Sequence, residues 1–291
     1  MKNKEYREGV MLGVIAGLLY GFGGVTAKFC KSGGMDTFGV TFLRNLTALP
    51  VLFAFIKIKG YSLKVTGRQL GLLAASGVIV SCLTPVLLYS SFDYISVGLT
   101  FCIHYVYPVL IALANYLMFK EKLSKQKMLA MAFAVIGIWV IMFSTSSISM
   151  KGIICALMSG VAYTTYVVFI AKTGLKSLPG VIICFYCTLA STIALLLICL
   201  VKGQDFMHPG WGPFGWIVLT ALFVICLGNA IVPEAIRRAD STTVSILGIL
   251  EPIVTTVISV IFLKEAITSR SLIGGVMVLV SAILILTEKN D

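Results

Sequence analysis

The chain alternates long apolar runs with short polar joints. Ten runs stand out, at roughly 9–28, 37–57, 69–89, 97–119, 127–145, 152–171, 180–201, 214–235, 243–263 and 270–287. A helix of about 20 apolar residues crosses a hydrocarbon core of ~30 Å. The pattern therefore predicts an all-α, polytopic membrane protein with ten transmembrane helices. Arg44 interrupts the second run, and Pro233 with Glu234 blurs the end of the eighth. The joints are too short to hold a separate extramembrane domain.

The runs come in two copies. Pro108 to Glu121 reads PVLIALANYLMFKE and Pro252 to Glu265 reads PIVTTVISVIFLKE, 144 positions later. In the first run Gly9, Gly17 and Tyr20 match Gly152, Gly160 and Tyr163 of the sixth, at an offset of 143. The chain thus divides into two five-helix repeats, 1–147 and 148–291. Five is odd, so the second repeat enters the bilayer from the opposite side. That makes an inverted repeat, an arrangement in which binding sites lie at the repeat interface. Gly13, Gly17 and Gly21 recur every fourth residue, a spacing that lets helix backbones approach closely in lipid.

Composition and charge narrow the class. The 291 residues are 58% hydrophobic and 12% charged, against about 25% charged in soluble domains. A net charge of +11 would suggest nucleic acid in a soluble protein, but here the basic residues act as topology signals. Lys2, Lys4, Arg7, Lys57, Lys59, Lys64, Arg68, Lys120, Lys122, Lys125, Lys127, Lys172, Lys176, Arg237, Arg238 and Lys289 fall on one set of alternate joints. Lys28, Lys31, Lys151, Lys202, Lys264 and Arg270 fall on the other set. The positive-inside rule then puts both termini in the cytoplasm. The first run shows no small-residue cleavage site and reads as a retained anchor. Cys184 and Cys187 have ligand-pair spacing, but no second pair or nearby histidine completes a metal site. The cysteines read as small buried apolar residues, and neither metal nor cofactor is expected.

The chemistry sits in the polar residues that interrupt the runs. Glu251 lies far from either end of the ninth run, 243–263, whose stretch Gly248 to Glu265 is read as helix. A charge at that depth costs on the order of 3 kcal/mol and marks a functional site by default. Thr100, His104, Tyr107 and Asn115 form a polar stripe on the fourth run, and Ser245, Gly248, Glu251, Thr255 and Ser259 form one on the ninth. Offset 144 superposes His104 on Gly248 and Tyr107 on Glu251. Polar stripes in lipid must face protein or water, and two of them related by duplication point to a shared central cavity. Arg44 is a cation for an anionic group, of the protein or of a ligand. Tyr20 with Gly23 and Gly24, together with Tyr163, Tyr166 and Asn229, would shape the pocket. His208, in the loop from Lys202 to Pro213, reads as solvated. Glu234 reads as ion-paired with Arg237 and Arg238.

Ten short-looped spans in two halves, with Pro108…Glu121, Pro252…Glu265 and the tripeptide Leu250-Glu251-Pro252, resemble the drug/metabolite transporter superfamily, EamA type. The resemblance covers essentially the whole chain. It implies a basket-shaped ten-helix bundle with a central cavity, and export of amino acids or other small organic metabolites across the cytoplasmic membrane. No G-x-x-x-x-G-K-[ST] phosphate loop occurs, so an ion or substrate gradient would drive such transport. Glu251 is the candidate proton carrier, and His104 a second. A passive channel lacks a ring of charges or a carbonyl filter. An intramembrane enzyme lacks converging catalytic groups. The partners expected are a small-molecule substrate, protons and the lipid bilayer.

Overall fold

The computed structural model describes residues 2–95, 97–121, 123–142, 149–203, 211–251, 253–254, 257 and 269–287. Within these the chain is all-helical. The elements are α1 (Lys2–Ser32), α2 (Thr37–Ile58), α3 (Gly67–Ser91), α4 (Val97–His104), α5 (Tyr107–Phe119) and α6 (Lys125–Met142). They continue as α7 (Met150–Lys172), α8 (Gly180–Lys202), α9 (Pro213–Arg238), α10 (Ser241–Gly248) and α11 (Ser269–Leu286). Among the described residues six helices are long and apolar enough to cross a membrane: α1, α2, α3, α7, α8 and α9.

Local chemistry sets the helix ends. Asp36 caps α2 by accepting from the backbone N–H groups of Phe38 and Gly39 at 3.1 and 3.0 Å. Thr66 and Gln69 form a reciprocal capping box at the start of α3, satisfying two N–H groups that have no intrahelical partner. Asp240 caps α10 through the Thr243 N–H at 2.8 Å.

The main departure from the sequence reading is at the fourth run. It is not one helix over 97–119 but two, α4 and α5, with Tyr105 and Val106 in a turn between them. The cause is Pro108, which has no N–H to return to the His104 carbonyl four residues back. The second copy behaves alike. Gly248 to Glu265 is not a continuous helix, because α10 ends at Gly248, Ile249 and Leu250 form a turn, and Glu251 begins the next helical stretch. Pro252, Thr255, Ser259, Lys264 and Glu265 lie outside the described residues.

Two further irregularities sit at equivalent places. In α3 the stretch Val78–Leu83 widens to π-helical turns, and in α9 the stretch Ala221–Asn229 does the same. They begin 11 and 8 residues into their spanning helices, and π turns of this kind concentrate at functional sites. Pro85 in α3 frees the Ser81 carbonyl, and the Asn45 side chain from α2 supplies the missing donor at 3.0 Å while also donating to Ser191 Oγ at 2.7 Å. Asn45→Leu should therefore lower stability by about 1–3 kcal/mol, the penalty for leaving buried polar groups unpaired. Thermal unfolding of the purified protein checks this, and an unchanged midpoint would refute it.

The two halves interleave. α1 packs on α9 and α10, and its counterpart α7 packs on α3, α4 and α5. Equivalent helices meet head to tail. Gln126 at the start of α6 donates to the Leu284 carbonyl near the end of α11 at 2.6 Å, while Gly137 faces Gly274. Along α2 and α8, Lys202 lies over the Phe38 ring at 3.6 Å, Asn45 meets Ser191, and Phe53 meets Phe185 at 6.2 Å. Both pairs run antiparallel. Ion pairs gather many joints at one end: Glu8 with Arg238, Glu234 with Arg237 at 2.5 Å and Arg238 at 2.8 Å, Lys127 with Asp240 at 2.7 Å, and Lys172 with Glu121. These are the joints that the lysine and arginine bias groups together.

Candidate functional site

Where the breaks of both halves converge there is a narrow cavity of about 90 Å³, room for a few waters by the volume a buried water needs. Tyr20, Gly23 and Gly24 of α1 line it, with Arg44 of α2 and Thr84, Pro85 and Tyr89 of α3. His104 ends α4, Tyr107 opens α5, Tyr163 comes from α7 and Asn229 from α9, and Glu251 follows the second break. Tyr166 is buried and does not reach the cavity. Its ring stands 6.2 Å from that of Tyr163, behind it.

The lining side chains are held partly by one another and partly by groups behind them. The Tyr20 hydroxyl donates to Asn229 Oδ1 at 2.8 Å, joining α1 to α9. Ser159 Oγ donates to the Ala156 carbonyl at 2.6 Å. Its single proton is thereby spent, so His104 Nδ1, 2.8 Å from the same oxygen, is the donor in that contact, which leaves Nε2 of the neutral ring as an acceptor. The Tyr107 hydroxyl donates to the Ser245 carbonyl at 3.3 Å, reaching across to α10. Tyr107 and Tyr163 meet edge to face at 4.8 Å. Arg44 Nη1 donates to Tyr89 Oη at 2.9 Å.

Glu251 is half-buried, within electrostatic reach of Tyr20, Tyr89, Tyr105, Tyr107 and Tyr163. Among the described residues neither Glu251 nor Arg44 has an oppositely charged partner within ion-pair distance, although both line the same cavity.

The polar stripe of the fourth run thus divides. His104 and Tyr107 face the cavity, while Asn115 bonds Ser241 and Thr242 of the other half at 2.8 and 3.1 Å and Thr100 bonds Ser91 at 2.7 Å. Cys184 and Cys187 each donate a thiol to a backbone carbonyl, of Ile225 at 3.3 Å and Leu73 at 3.5 Å. His208 lies outside the described residues.

The family model for EamA-like transporters matches this chain twice, over residues 7–143 and 150–287. The chain belongs to the EamA-like transporter family. Its relatives are named as transporters too. An "Uncharacterized transporter" of Clostridium kluyveri is 24% identical over 295 residues, covering 96% of this chain and 93% of that one. The "Uncharacterized transporter YvbV" of Bacillus subtilis is 27% identical over 202 residues, covering 68% of this chain and 65% of its own. A chain in a solved crystal structure has the same fold, with a TM-score of 0.80 over 95% of this chain and 96% of that one, at 16% identity.

In this EamA-like chain the cavity also takes residues that the sequence did not single out. Tyr89 partners Arg44, while Tyr105 is buried behind the lining, beside Glu251. Neither has a polar mate in the other repeat, so duplication gave no signal. A larger groove of about 580 Å³ lies between α1, α2, α8 and α9, lined by Leu12, Phe55, Tyr61 and Ala230 and by the paired Glu234 and Arg237. α9 is the shared wall of groove and cavity, contributing Cys226, Leu227, Ala230 and Ile231 to one and Val224 and Asn229 to the other.

Proposed function

We propose that this protein is a secondary transporter that exports amino acids or other small organic metabolites across the cytoplasmic membrane by alternating access. The observation that carries the reading is the polar cavity at the junction of the two repeats, which holds an acid and a base that are not paired to each other. In this reading the chain forms ten spans as two inverted five-helix repeats, 1–147 and 148–291, with both termini cytoplasmic. The antiparallel pairing of α2 with α8 and α6 with α11 supports the inversion, and the basic-residue bias supports the orientation.

Glu251 carries a proton or takes a cationic group of the substrate. Tyr20, Tyr107, Tyr163 and His104 shape the pocket and supply hydrogen bonds, with Tyr166 backing Tyr163. Arg44 completes the lining. Asn229 serves both as a pocket residue and, through Tyr20, as a latch between the cavity and the groove beside it. Broken helices suit such a site because their turns offer free backbone groups where the irregular chain lines water.

Counterflow in proteoliposomes tests the reading. Labelled amino acids outside vesicles preloaded with unlabelled ones should accumulate transiently, saturably and faster than in protein-free vesicles. Linear, non-saturable flux would make the protein a channel. Chemical turnover of the solute would make it an enzyme.

A further inference from the structure

This inference rests on the transporter reading and goes on to name the chemistry of the cargo. We infer that Arg44 is an anion-binding residue, and that the solute taken into the cavity carries a small oxyanion such as a carboxylate.

Arg44 stands seven residues into α2, about 10 Å along the helix from its start. It is 5% exposed, so it does not reach water at the bilayer surface by stretching outward. Its guanidinium lies 5.5 Å from the centre of the Tyr89 ring, and among the described residues its hydrogen bond runs from Nη1 to Tyr89 Oη. Nε is buried without a partner. The guanidinium has two fork-shaped edges that suit an oxyanion. Tyr89 occupies a donor on one of them, and among the described residues the edge made by Nε and Nη2 stays uncommitted, the geometry for two parallel N–H···O bonds to a carboxylate.

A buried cation without counter-charge is strongly unfavourable, and buried charges are as a rule paired. Glu251 does not supply it here, although it lines the same cavity. Tyr89 adds to the site. Its hydroxyl oxygen accepts from Arg44, so its own proton remains to be donated to the same anion. Arg44 and Glu251 together thus offer opposite charges to one bound molecule, and Arg44 selects for its anionic end.

Thermal unfolding of the purified full chain tests this, at constant ionic strength, with acetate, methanesulfonate, methylphosphonate and the neutral isostere acetamide. Acetate should raise the midpoint saturably at tens of millimolar and acetamide should not, a comparison that needs no variant. Arg44→Gln should weaken the acetate response by about tenfold or more, the loss of a charged hydrogen-bonding partner. Arg44→Lys, which keeps the charge without the fork, should lose part of it. The sulfonate and phosphonate arms show which oxyanion geometry fits best. Equal responses to acetate and acetamide, silence from all three anions, or an undiminished response in Arg44→Gln would each overturn the inference. The transporter reading fails separately: Arg44-dependent anion binding without counterflow sinks that reading and leaves the anion site standing.

Discussion

Glu251→Gln should slow substrate exchange roughly 10- to 100-fold, the loss expected when a charged hydrogen-bonding partner becomes neutral. The same change should flatten the pH dependence of whatever flux remains. Glutamine has nearly the shape of glutamate and remains polar, so the packing at the break survives. What it loses is the ability to exchange a negative charge for a proton. Glu251 follows directly on the turn at Ile249 and Leu250, and its backbone carbonyl lies against Gly21 of α1. A change of charge there bears on the contact between the first helix of one half and the broken helix of the other. The check is exchange in proteoliposomes across a pH series, with wild type and variant matched for amount and unfolding midpoint. An unchanged rate and pH profile would show that Glu251 neither carries protons nor binds cargo.

A large effect on stability is expected from the other side of the same contact. Gly17 of α1 faces α10 so closely that a Cβ there would stand 2.5 Å from the Leu247 carbonyl oxygen and 3.4 Å from Gly248. Its counterpart Gly160 faces the break in the other half, where a Cβ would stand 2.9 Å from the His104 carbonyl oxygen. That carbonyl is the one freed by Pro108. The obstacle in both cases is backbone, which yields less than a side chain tip. Overpacking typically costs about 1–3 kcal/mol, and Gly17→Val should reach or pass the top of that range. Gly160→Ala should fall below Gly17→Ala in severity, because its approach is longer. Gly71→Ala is the internal control. Nothing lies within 4 Å of its Cβ position, so it should be neutral or gain up to about 1 kcal/mol of helix propensity. Midpoints of thermal unfolding, with the fraction of protein recovered as a sharp size-exclusion peak, decide the order. Equal behaviour of Gly17→Val and Gly71→Ala would refute the close approach.

These two positions show how far the sequence reaches. The four-residue spacing of Gly13, Gly17 and Gly21 and its echo at Gly160 are visible in one dimension, because helical periodicity is a local property. The membrane class, the duplication and the exceptional place of Glu251 are legible for the same reason: hydropathy, spacing and a lone acid in an apolar run need no partner to be seen. The register of the two repeats also brought together Tyr20 with Tyr163 and drew attention to His104 and Tyr107, all of which line one cavity.

Tertiary structure alone decided the rest. A proline in an apolar run signals a lost hydrogen bond, but whether the helix kinks, widens or breaks depends on what meets the freed carbonyl. At Ser81 the partner is the Asn45 side chain and α3 continues through π turns. At His104 the carbonyl faces Gly160 and the helix breaks. Likewise the polar stripe on the fourth run carries no mark that separates Asn115, which ties the halves together, from His104, which faces the cavity. Tyr166 and Tyr163 are three residues apart on one helix, yet one is packed behind the other. Arg44 read as a cation for some anion, and only the fold showed that no carboxylate among the described residues answers it. Each of these outcomes rests on contacts between residues dozens to hundreds of positions apart. Such contacts leave no local trace in the chain, whereas a helix and the face it buries are decided by residues three and four apart.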